Sequence, residues 1–119
     1  MPREHADASY LWDMLAAARA IADFVRGRTF ADYAANLLLR SAVERQLEII
    51  GEAAGRVSPA FRQRHPEIAW SKIIGQRHVL AHDYDEIQHD RIWAVVTLHV
   101  PKLIEQLHPL IPPPPASPS

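Results

Sequence analysis

The chain has no cysteine and only 4 glycines in 119 residues. The first absence excludes disulfides, thiolate metal sites and a cysteine nucleophile. The second argues against nucleotide binding of the Walker or Rossmann kind, because scattered glycines do not make a phosphate-cradling loop. No run reaches the ~18 apolar residues that a membrane span requires. The first residues, Met1-Pro2-Arg3-Glu4-His5-Ala6-Asp7, contain acids and lead into no secretory-type apolar segment. A soluble cytoplasmic protein is therefore expected. An excess of charge is also missing: the formal net charge is -1, so any contact with RNA must come from a local patch rather than from an overall basic field.

What the chain does have is helical periodicity from end to end, with almost no alternating segment that would suggest a strand. The expectation is an all-α fold, an up-and-down bundle of four main helices and one short one. The domain would span 1–110, followed by a proline-rich disordered tail at 111–119. The first helix is predicted from about Ser9 to Arg26, with Leu11, Leu15, Ala18, Ile21, Ala22 and Val25 on one side and Gly27 as its C-terminal cap. A long second helix opens at Thr29, with Asp32 completing a capping-box-like arrangement, and reaches about Arg56. Its apolar line passes through Leu39, Ala42, Val43, Ile49, Ile50, Ala53 and Val57. Glu44, Glu48 and Glu52 form an acidic row on another side. Ser58-Pro59 starts a short turn that His65-Pro66 ends, and a third main helix covers about Pro66 to Ala81. The last runs from about His89 to Leu107 on Ile92, Val95, Val96, Leu98, Leu103 and Leu107, with a kink or break expected at Pro101.

The third of these helices carries the candidate chemistry. Trp70, Ile73, Ile74, Leu80, Ala81 and Tyr84 make an apolar stripe, and Arg77 falls in the middle of it. A guanidinium in apolar surroundings needs an acid, carbonyls, water in a cleft or a bound anion. His82 lies five residues on, roughly 140° further round an ideal helix, so the two share a concavity only if the helix ends near Ala81 or a second copy supplies the facing half. An arginine fork suits phosphate and a histidine titrates near neutrality, the two elements that metal-free RNA cleavage requires. Also open is a structural role, with Arg77 paired to Glu44, Glu48 or Glu52 and His82 capping the helix. His78 and His82 stand at the four-residue spacing of two metal ligands, with Asp83, Asp85 and His89 nearby, but no glutamate sits between them in the HExxH manner and no metal site is assigned.

Arg77, four residues, His82, one residue and Tyr84 together match an R-x4-H-x-Y pattern. With Ile50-Gly51-Glu52-Ala53-Ala54 upstream, Trp70-Ser71-Lys72-Ile73-Ile74-Gly75 before it and Ile92-Trp93 after it, the chain resembles the HepT-like toxins of the HEPN superfamily over roughly residues 9 to 110. His78 departs from the small polar residue common there. The resemblance implies a homodimer in which two motifs face one cleft and act as a metal-independent endoribonuclease, without a cofactor, on cellular RNA, with tRNA among family targets. Arg77 and His82 would be catalytic, with His78, Glu52 and Asp83 as auxiliary candidates. It implies an antitoxin partner too, a minimal nucleotidyltransferase that attaches AMP to Tyr84. The alternative is a non-enzymatic helical module that binds, and is modified by, such an enzyme.

Overall fold

A computed structural model describes residues 3–82 and 88–111, with residues 3–5 and 77–82 described by their backbone alone. Seven α-helical segments follow in order: α1 (Arg3–Val25), α2 (Phe30–Ala35), α3 (Leu37–Arg56), α4 (Pro59–Arg64), α5 (Trp70–His82), α6 (His89–Ala94) and α7 (Val100–Leu107). A π-helical stretch, Val95–His99, joins α6 to α7, and a 3-10 turn, His108–Leu110, follows α7. Among the described residues there is no strand. The fold is all-α, as the periodicity predicts.

α3 is the central helix, packed against α1 on one side and α5 on the other, while α7 packs on α1. Two contacts fix the directions. Asp7, near the start of α1, takes hydrogen bonds from the backbone N–H and hydroxyl of Ser58 just beyond the end of α3, at 2.8 and 2.7 Å, so α1 and α3 run antiparallel. Gln106, near the end of α7, donates to the carbonyl of Glu67 just before α5 at 2.7 Å, so those two helices are antiparallel as well. Small residues let α1 and α3 approach closely: Ala17 and Ala18 on one, Gly51, Ala53 and Ala54 on the other are all buried.

Local chemistry explains most boundaries. Gly27 adopts φ 73, the left-handed conformation that ends a helix cheaply only for glycine. Thr29 and Asp32 form the expected capping box, Thr29 Oγ1 accepting from Asp32 N at 3.1 Å and Asp32 Oδ2 from Thr29 N at 2.9 Å. That backbone bond holds the Asp32 carboxyl below its ordinary pKa. The single helix expected from Thr29 to Arg56 is instead two, because Asn36 leaves helical conformation at φ -118, ψ 100 and its side chain accepts from Leu39 N at 3.0 Å, capping α3 anew. A residue whose amide oxygen can serve as an N-cap competes with helix continuation. The first helix begins at Arg3 rather than Ser9.

The third main helix starts at Trp70, four residues later than expected. Residues 66–69 form a turn that buries Ile68 and lets the Trp70 indole N–H donate to the His65 carbonyl at 2.9 Å. Pro101 does disturb the last helix, through the five-residue π-helical stretch immediately before α7, within which the wider turn accommodates a ring that would otherwise clash with a preceding carbonyl. Leu98, expected inside, is 68% exposed. Val96, Val100, Leu103 and Leu107 make the buried stripe at steps of four and three, and a residue two places from Val96 falls on the other side.

Candidate active site

α5 holds the candidate chemistry at its C-terminal end, and its N-terminal end is anchored. Ile68 and Trp70 are 2% and 7% exposed, Trp70 stands edge-on to Phe61 at 6.4 Å between ring centroids, and Ile73 and Ile74 pack against the core. These contacts fix the helix as a rod, and what it presents further along follows from helical geometry.

Positions 77, 78 and 82 all lie within α5, which continues without a break through His82. The described helix thus includes His82 itself, one residue past the expected end at Ala81. In a regular α-helix positions 77 and 82 are roughly 140° apart around the axis and ~7.5 Å apart along it, whereas 78 and 82 share a face. Asp83 and Tyr84 lie outside the described residues.

The acidic row of α3 separates into three environments. Glu52, half-exposed, meets Arg56 on its own helix at 3.1 Å, and Glu48 meets Arg45 at 3.3 Å. Pairs this exposed contribute little to stability. Glu44 differs: only 7% exposed, its carboxyl is pushed up by burial against the opposing pull of His89 and Arg40, with Glu48 adding to the rise.

Around Glu44 three helices converge. Tyr33 of α2 is fully buried, its ring 6.3 Å from and edge-on to that of His89 at the first residue of α6, and 5.5 Å from Trp93. Burial, reinforced by the negative field of Glu44, raises the Tyr33 phenol well above its ordinary range. Tyr33 Oη and His89 Nδ1 are buried without a hydrogen-bond partner among the described residues. The cluster ties down the start of α6. From the sequence His89 stands out only as a completing metal ligand, and Tyr33 not at all. The signal available was an aromatic and a histidine flanking the motif, too common a pattern to single out.

Among the described residues no helix is long and apolar enough to cross a membrane. The all-helical arrangement around α3 is consistent with a HEPN-like fold. A family model described as "Ribonuclease HepT-like" matches residues 14–110, and the chain belongs to that family. It is 36% identical over 103 residues to a Thermococcus cleftensis protein named as a ribonuclease HepT, covering 87% of this chain and 92% of that one. A Methanocaldococcus jannaschii protein provisionally named as an RNase is 32% identical over 99 residues, 83% and 91% of the two chains. Another so named, from Caldanaerobacter subterraneus subsp. tengcongensis, is 31% identical over 102 residues, 86% and 91%. No solved structure matches.

Proposed function

We propose that this protein is a metal-independent endoribonuclease acting on cellular RNA, tRNA included, as the toxin of a toxin–antitoxin pair. The observation that carries the reading is the placing of Arg77 and His82 on the last turns of an unbroken α5 in a chain of the HepT-like ribonuclease family. Positions so far apart around one helix serve a single phosphate best when two chains meet by twofold symmetry, Arg77 of one facing His82 of the other.

The chemistry needs nothing beyond these groups. A base removes the proton of the ribose 2′-hydroxyl, whose oxygen attacks the adjacent phosphorus; the P–O2′ bond forms, the P–O5′ bond breaks, and an acid protonates the departing 5′-oxygen. The products are a 2′,3′-cyclic phosphate and a 5′-hydroxyl. His82 takes the acid or base role, with His78 on the same helical face and Asp83 and Glu52 as auxiliary groups, while Arg77 neutralises charge on the pentacoordinate transition state.

Regulation in this reading falls to Tyr84. A cognate nucleotidyltransferase would join the Tyr84 phenol to the α-phosphorus of ATP with release of pyrophosphate, placing bulk and negative charge two residues from His82, where a substrate phosphate is needed.

The test is RNA cleavage in excess EDTA by the wild type, Arg77→Ala and His82→Ala. Activity confined to the wild type is expected, and equal activity in all three would refute the assignment. Intact-mass analysis of the chain coexpressed with its neighbouring nucleotidyltransferase should show AMP increments mapping to Tyr84.

A further inference from the structure

Beside α5 lies a groove whose described lining residues fall outside the motif. It is a cavity of about 370 Å³ between α5 and the π-helical stretch and α7, floored by α3 through Leu47 and Ile50. Ligand pockets begin at roughly this size. The floor is aliphatic and the rim is polar: Lys72 and Gln76 come from α5, Lys102 and Gln106 from α7, and His99 from the stretch between. Among the described residues the one acid at the rim is Glu67, whose carboxylate lies on His65 Nδ1 at 3.1 Å and whose carbonyl accepts from Gln106 Nε2 at 2.7 Å. Both lysines are exposed, and among the described residues neither has an acid within ion-pair distance.

We propose that this groove is a subsite for one nucleotide of the RNA strand, lying beside the scissile phosphate. The inference rests on the ribonuclease reading above and names where that substrate is held. Two lysines, one on α5 and one on α7, beside an apolar floor suit an anionic backbone, and a flat base buries its faces on aliphatic side chains while its edges meet the two glutamine amides. The groove also leads to the motif. Ile73 lines it, and position 77 follows Ile73 by four residues, hence one turn further on nearly the same face of α5. A strand seated here therefore runs toward Arg77. A net charge of -1 offers no global attraction, which makes a local cationic edge the means of capture.

The test uses the full chain and a single-stranded RNA oligonucleotide. Lys72→Ala/Lys102→Ala removes the two cations, and Ala69→Trp fills the groove from an exposed position at its edge. Each is checked by thermal melting for an intact fold. For the lysine pair the KM for cleavage should rise ~10-fold, with most of the loss in KM rather than kcat. The slope of log affinity against log salt, read with the His82→Ala chain as background, should become shallower by about 1.4, or ~0.7 per lost phosphate contact to a single strand. Ala69→Trp should raise KM without changing that slope. Wild-type KM and salt slope in both variants would overturn the subsite while leaving the ribonuclease reading intact. A shift in oligomeric state, with RNA affinity unchanged, would show that a second copy covers the groove and would overturn it too. A wild-type chain that neither binds nor cleaves RNA would instead defeat the underlying reading.

Discussion

The Asp7 carboxylate grips Ser58 twice, taking its backbone N–H at 2.8 Å and its hydroxyl at 2.7 Å across 51 residues of sequence. Ser58 Oγ in turn accepts from Phe61 N at 3.2 Å as the N-cap of α4. One nearly buried acid thereby orients the cap, the corner after α3 and the route to α5. Asp7→Ala leaves two donors without that acceptor and should cost about 1–3 kcal/mol, read as a lowered midpoint in urea unfolding with the slope unchanged. Asp7→Asn, which keeps an acceptor, should fall between the two.

Trp70 starts α5 and secures its direction. Trp70→Phe deletes the indole N–H that reaches the His65 carbonyl and should cost about 0.5–1.5 kcal/mol, while Trp70→Ala also opens a cavity and should cost about 3–5 kcal/mol. Chemical denaturation measures both. Since the helix carries Arg77 and His82, RNA cleavage by Trp70→Ala should fall well below that of Trp70→Phe at a temperature where both remain folded.

Glu44 gives the fold a pH dependence of definite sign. Its folded-state pKa is raised by burial, the proximity of His89 and Arg40 notwithstanding. Its favourable contribution is therefore complete below the unfolded value near 4.5 and is lost as pH climbs through the raised folded value. Tyr33, Arg40, Glu48 and His89 are the charged or titratable groups around it. Glu44→Gln should match the wild type at pH 4 and exceed it at pH 7 by roughly 2–6 °C in Tm. An equal melting temperature at both values would mean that the carboxylate is compensated when ionised.

The sequence is legible where one residue dictates local geometry and illegible where tertiary context decides. Gly27, the Thr29–Asp32 capping box and Ser58-Pro59 act at short range, and the structure has them as expected. Asn36 carries the same kind of signal inside an apolar run, where the pattern of the run obscured it. Pro101 announces a disturbance, but whether the helix breaks or widens depends on how α6 and α7 pack, and a π-helical stretch preserves the Val96–Val100–Leu103–Leu107 stripe. In the candidate site, the shared face of positions 78 and 82 is legible from their spacing, whereas the helix reaches His82, one residue past its expected end. The distinction of Glu44 from Glu48 and Glu52 is not legible, because equal steps along α3 say nothing of what α2 and α6 lay over one of them.

The most direct test of the account is complementation between two inactive chains. If Arg77 of one protomer works with His82 of the other, a dimer of one Arg77→Ala chain and one His82→Ala chain holds one intact site and one doubly disabled site. An equimolar mixture, allowed to exchange subunits, should recover roughly a quarter of wild-type cleavage, since half of its dimers are mixed and each has one working site of two. A mixture that stays inactive while mass measurements show the mixed dimer formed would contradict the composite site and place both groups within a single chain.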